Sequence, residues 1–150
     1  MTEKELNEEK KAYLRGYKRV CNRIKTLGLQ IQEVREAKQQ AKAQELSDMP
    51  KGNKQTDLSD YIVKLERLEE KIAYKLEEKK REKIEIENAI TDVPDDVESD
   101  ILYKRYIQLM DWEEIADDIG YSVRHVYRYH GEALHDLKYT EKDKDVTPCH

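Results

Sequence analysis

DWEEIADDIGYSVRHVYRY, residues 111–129, is the stretch from which the rest of the chain can be read. A short run with helical periodicity reaches Gly120, and a second begins straight after it. Counted from Trp112 as the first position, Ala116 falls fifth, Gly120 ninth and Val126 fifteenth. Two helices joined by a tight turn have least freedom at these places. The fifth must be small because the helices cross there, and the ninth must tolerate the backbone of the turn. The fifteenth must be apolar so that the second helix packs on the first. Trp112, Ile115 and Ile119 supply the remaining inward side chains, so the pattern predicts a helix-turn-helix.

Both helices carry start signals. Asp111 is placed to cap the first, with Glu114 three residues on completing a capping box. Ser122 is placed to cap the second. Val123, Arg124, Tyr127, Arg128 and Gly131 then lie away from the Val126 packing side, where a recognition helix meets the major groove of DNA. The second helix is expected over residues 123–137, with Val126, Tyr129, Ala133, Leu134 and Leu137 inward. Upstream, Val93-Pro94-Asp95-Asp96 ends one helix and caps another expected over Val97–Leu109, giving a three-helix unit.

Charged residues make up 41% of the 150 and hydrophobic ones 37%, with only 5 Gly and 3 Pro. That mixture suits long solvent-washed helices and disfavours a β-sandwich or doubly wound sheet, so the expected class is all-α. Apolar runs are too short for a membrane span, so no membrane contact is expected. Cys21 and Cys149 lie too far apart for a metal-binding spacing, and they set up no disulfide framework, so a reducing cytoplasm is the expected setting.

Two long periodic stretches precede the helix-turn-helix. From about Glu3 to Leu46 the chain reads as one helix, with Tyr13, Tyr17, Val20, Ile24, Leu27, Ile31, Val34 and Ala41 forming a lengthwise seam. Leu14 and Cys21 widen it, and Gly28 marks a kink or a close approach. SDMPKGNKQTDLSD at 47–60 reads as a loop. A second helix is expected from Thr56 or Asp57 to about Asn88–Ile90, with Leu58, Tyr61, Ile62, Leu65, Leu68, Ile72 and Leu76 as its stripe. The two form a helical hairpin within the chain or a coiled coil between chains. The expected division is a hairpin or coiled-coil oligomerisation region at 1–92, the helix-turn-helix at 93–139 and a disordered tail at 140–150.

Charge is unevenly distributed over a net of −5. Residues 95–139 hold 5 Lys/Arg against 11 Asp/Glu, whereas residues 1–47 hold 11 against 7. An acidic reading unit alone binds DNA weakly, because neutralised phosphates supply much of the affinity. The basic cluster from Lys10 to Lys25 is either a solvated face or a phosphate-contacting surface. In the second case Arg15, Lys18 and Arg19 contact the flanking backbone.

No Gly-rich phosphate loop, nucleophile elbow or metal-ligand spacing is present, so the chain is expected to act by binding, without catalysis, metal, cofactor or small-molecule substrate. His125, His130 and His135 match neither HExxH nor a zinc finger. His130 reads as a packed or hydrogen-bonding histidine and His125 as a phosphate contact. Trp112 reads as a packing anchor.

TDLSDYIVKLE at 56–66, YKRYIQLMDWEEIADDIGYSVRHVYRYHGEAL at 103–134 and the long helical region between them resemble phage and prophage regulators of the ArpU/RinA kind. That group is related to the DNA-reading region four of sigma factors, and the resemblance covers roughly residues 50–138. It implies transcriptional control by contact with double-stranded DNA, with RNA polymerase as a further partner. Carried over by position, Ser122, Arg124, His125, Tyr127 and Arg128 are the DNA-facing residues. Trp112, Ile115, Ala116, Gly120 and Val126 maintain the scaffold. The expected assembly is a homodimer. Two further readings share these features: a packaging adaptor of the small-terminase type, which predicts a closed ring, and a helical module that docks on a protein such as RNA polymerase.

Overall fold

The seam of small and large apolar residues in the N-terminal third is satisfied inside the chain. The computed structural model describes residues 2–47 and 54–139, and every regular element among them is a helix. Helix α1 spans Glu3–Leu14, α2 Gly16–Ser47, α3 Lys54–Thr91, α4 Asp96–Tyr106, α5 Trp112–Ile119 and α6 Val123–Asp136. None of them is long and apolar enough to cross a membrane. Pro50 and Gly52 of the expected loop and the expected tail at 140–150 lie outside the described residues.

The chain divides into two compact units, residues 19–80 and residues 1–18 with 81–150. In the first, α2 and α3 run antiparallel. Val20, Leu27, Ile31 and Val34 of α2 are buried, and Leu58, Tyr61, Leu65, Leu68 and Ile72 of α3 are half-buried. Arg35 pairs with Glu69 at 3.7 Å, and Arg23 and Leu27 share an open cleft with Glu70 and Tyr74. The long helices therefore pair within the chain. Ile62 and Leu76, expected in the α3 stripe, are instead 45% and 42% exposed. A two-helix contact uses a single seam of alternating three- and four-residue steps, and both residues sit beside it.

The single helix expected over Glu3–Leu46 is broken at Arg15. Gly16 follows the break, and a Cβ added there would stand 3.2 Å from the Glu82 carboxylate. Gly16 thus marks the close approach that was expected at Gly28. Helix α2 runs through Gly28 without interruption, and a Cβ there would meet nothing within 4 Å. Thr2 starts α1 with a capping box, its hydroxyl accepting from the Glu5 N–H while the Glu5 carboxylate accepts from the Thr2 N–H.

In the second unit, Ile101 of α4, Ile115 and Ala116 of α5 and Val126 of α6 form a buried cluster. Val97, Met110, Trp112, Ile119, Val123 and Tyr129 pack around it. Leu14, Ile86, Ile90, Leu102, Leu134 and Leu137 are almost completely buried as well. Each such side chain stabilises the fold by roughly 1.5–3 kcal/mol relative to exposure. Asp95 caps α4 by accepting from the Glu98 N–H at 3.0 Å, and the Ser99 hydroxyl donates to the Ile90 carbonyl at 2.9 Å. Helix α4 stops at Tyr106, short of the expected Leu109, whose φ of 59° lies in the left-handed region.

Residues 2–18 belong to the same unit as α4, α5 and α6, with α1 in contact with α6, although a boundary at residue 93 would assign them to the hairpin region. Lys10 of α1 is 5% exposed, and its ammonium donates to the carbonyls of Leu134 at 2.6 Å and His135 at 3.3 Å. Burial lowers its pKa, while Asp136 and Glu3 favour the charged form. A cation on the final carbonyls of α6 answers the acceptors a helix end leaves without partners. Tyr13 adds a ring contact to Tyr139 at 4.9 Å.

Candidate nucleic-acid interface

Gly120 sets the angle at which α6 leaves α5. It caps α5 with φ 75° and ψ 28°, the left-handed conformation in which a side chain costs roughly 1–2 kcal/mol. The N–H groups of Gly120 and Tyr121 both donate to the Ala116 carbonyl at 3.0 Å. Asp111 caps α5 by accepting from the Glu114 N–H at 2.8 Å. Ser122 caps α6 by accepting from the His125 N–H at 3.2 Å. The small fifth residue, the glycine turn, the buried Val126 and both caps occupy the places that the sequence assigns them.

With Val126, His130, Ala133 and Leu134 turned inward, the opposite side of α6 is open. Arg124, His125, Tyr127, Arg128 and Gly131 are exposed, Tyr127 to 51%. Val123, expected on this side, instead packs partly against the core cluster. Its place in the first turn brings it over the α5 contact. Ser122 is exposed, but its hydroxyl oxygen is occupied in capping and lies 3.4 Å from His125 Nδ1.

Aromatic contacts hold these side chains. The Tyr127 ring lies 5.1 Å from that of Trp112, which carries the Arg105 guanidinium at 4.4 Å on its face. Arg105 also donates to the Met110 carbonyl at 3.1 Å. The Arg128 guanidinium sits 5.5 Å from the centre of the Tyr129 ring, and Tyr129 stacks with Tyr121 at 5.6 Å. Arginine over an aromatic face keeps its charge and loses part of its rotamer freedom before any ligand arrives. Trp112 is accordingly a packing anchor, as its sequence context indicates.

His130 is 7% exposed and shares a 2.7 Å hydrogen bond between its Nε2 and the Tyr106 hydroxyl. Burial, reinforced by Lys11, Arg105 and Arg15, lowers its pKa to about 4. Burial also raises that of Tyr106 to about 12. Both side chains are therefore neutral near pH 7, and His130 is the packed, hydrogen-bonded histidine expected from sequence. Among the described residues no group of three or more His, Cys, Asp or Glu is placed to hold a metal ion.

Charge divides along α6. Its first half carries Arg124, His125 and Arg128, whereas its second half borders an open cleft where Glu3, Glu98, Glu132 and Asp136 outnumber Arg128 and His135. Glu98 is 5% exposed, and burial followed by the Asp136 carboxyl raises its pKa to about 7. Of the basic residues expected on the flanking backbone, Arg15 and Lys18 are exposed and belong to the same unit as α6. Arg19 falls in the hairpin unit. Sequence reasoning missed Arg105 because a basic pair, Lys104-Arg105, at the end of a short helix carries no signal of its neighbours. It also grouped Lys10 with the solvent-facing cations, because the C-terminus of α6 lies 124 residues away in sequence.

The family model described as "Protein of unknown function (DUF1492)" matches residues 39–138, which take in the end of α2, α3 and the whole of α4–α6. No curated protein and no solved structure matches the chain.

Proposed function

The chain belongs to the DUF1492 family, and from that starting point we propose that it is a sequence-specific DNA-binding transcriptional regulator of the phage or prophage kind. The observation that carries this reading is the first half of α6. It projects from a glycine turn with Arg124, His125, Tyr127 and Arg128 in solvent and its opposite side in the core. Arginine offers a planar fork suited to the acceptor edge of guanine, each such pair discriminating by about 1–3 kcal/mol. Tyr127, braced on Trp112, is suited to a thymine methyl or a phosphate. The resemblance to ArpU/RinA-like regulators supports the same role.

Because the α2 seam is occupied by α3 of the same chain, the proposed homodimer forms through other surfaces of the chain. Two copies would present α6 about one DNA turn apart, roughly 34 Å, or a multiple of it. A mobility-shift titration against phage promoter DNA tests the reading. Arg124→Ala with Arg128→Ala abolishes the specific shift while leaving helical content and oligomeric state unchanged. A specific shift that survives the pair of substitutions defeats the assigned surface.

One observation favours a second reading, docking on a protein such as RNA polymerase: the acidic cleft along the second half of α6. Failure to bind any duplex at low salt decides for docking. Light scattering separates both readings from a packaging adaptor, which requires a large closed ring.

A further inference from the structure

Three cations from separate places in the chain flank the buried Tyr106–His130 pair. Lys11 of α1 lines a groove with His130, Arg15 follows one helical turn on with its N–H donating to the Lys11 carbonyl at 2.9 Å, and Arg105 of α4 lies over Trp112, whose ring is 4.6 Å from that of His130. All three oppose protonation of His130, and both arginines act on the Tyr106 hydroxyl. Trp112 and Tyr127 continue the same rim, since Arg105 lies over Trp112 and Trp112 supports Tyr127. Lys11 and Tyr127 also line one open groove between α1 and α6.

Two acids face the three cations of this rim, and Glu8 acts on Arg15 as well as on Lys11. Glu8 pairs with Lys11 at 3.0 Å, and Asp111 lies near Arg105 but is engaged in capping α5. Neither Arg15 nor Arg105 forms an ion pair among the described residues. Gathering like charges on one rim is unfavourable for the isolated protein. An anion laid across the rim removes that penalty. A duplex that receives the first half of α6 in its major groove brings a sugar–phosphate strand alongside the helix, on the side where Tyr127 projects.

We infer that Lys11, Arg15 and Arg105 form a phosphate-contacting rim for duplex DNA beside Tyr127, so that α1 is part of the DNA-binding surface rather than of the hairpin alone. This rests on the DNA-binding reading above. It assigns phosphate contacts to Arg105 and Lys11, and it makes them independent of base sequence.

The test is the salt dependence of binding to a mixed-sequence duplex of about three helical turns, followed by fluorescence anisotropy. Each phosphate contact contributes about −0.9 to the slope of log affinity against log salt. The full-length Arg15→Gln, Arg105→Gln variant should therefore lose about 1.8 from the slope, and Arg15→Gln alone about 0.9. Arg105→Lys keeps the charge and should retain the slope of the unmodified chain. Arg15 is exposed, so its single variant decides the matter even if Arg105→Gln disturbs the Trp112 packing. If the unmodified chain binds and Arg15→Gln leaves its slope unchanged, the rim is refuted while the DNA-binding reading stands. If the unmodified chain does not bind at low salt, both fall together.

Discussion

The Lys10 ammonium lies 2.6 Å from the Leu134 carbonyl and fastens the first helix to the last turn of α6. It is buried there, with the His135 carbonyl as its second acceptor. Truncation leaves two carbonyls of a helix end without their cation. Lys10→Met should destabilise the protein by about 2–3 kcal/mol, since a charged hydrogen bond contributes about 1.5–3 kcal/mol. Chemical denaturation measures this. A loss below about 0.5 kcal/mol, the level of an ordinary surface substitution, would mean that the contact is not structural.

Gly120 and Leu109, both with left-handed backbone, should respond to substitution in opposite directions. Gly120→Ala places a Cβ in that conformation with no steric clash around it, so the expected cost is the backbone penalty alone, about 1–2 kcal/mol. Leu109→Gly relieves the same penalty and gives back roughly 0.5–1 kcal/mol of chain entropy. A net gain of about 0.5–1 kcal/mol is expected, read as a raised midpoint in urea. A loss at Leu109→Gly would show that its side chain contributes more by packing than its backbone costs.

Stability should depend on pH through two groups of opposite sign. His130 has its pKa lowered from 6.5 to about 4, so its contribution is complete above pH 6.5 and is lost as pH falls through about 4. That contribution is on the order of 3 kcal/mol. Glu98 has its pKa raised from 4.5 to about 7, so its contribution is complete below pH 4.5 and is lost as pH rises through about 7. Glu98→Gln should therefore stabilise the protein more at pH 8 than at pH 5. His130→Gln should flatten the acid limb between pH 6.5 and 4. Urea titrations at several pH values measure both, and a Glu98→Gln effect equal at the two pH values would contradict the raised pKa that burial and Asp136 give Glu98.

Glycines in α2 give a control on the hairpin. Gly28→Ala meets open space and should stabilise the helix by about 0.5–1 kcal/mol. Gly16→Ala sets its Cβ 3.2 Å from Glu82 Oε1, so the carboxylate must shift and much of the same propensity gain is offset. Thermal melts of the two variants should rank Gly28→Ala above Gly16→Ala. The reverse order would mean that α1 and α2 meet at Arg15 in some other way.

The helix-turn-helix was legible from sequence because its constraints are local. A small residue at the crossing, a glycine at the turn, an apolar residue behind it and two capping side chains act over fewer than twenty positions, and each restricts residue type through sterics or hydrogen bonding. The seam of α2 was legible for a similar reason, since a lengthwise helix contact repeats with a fixed period. Periodicity marks which residues are inward and leaves their partner open. Only the tertiary structure decided that α3 of the same chain fills that seam, with Ile62 and Leu76 left beside it. It also decided that Lys10, which reads as one of seven bases between residues 10 and 25 with no acid among them, is buried on α6, while Arg105 lies over the Trp112 ring. A long basic side chain can cap, pair or face solvent at similar cost until the fold places carbonyls or other charges around it. That choice depends on residues more than one hundred positions away and on the electrostatics of close approach, neither of which a local pattern contains.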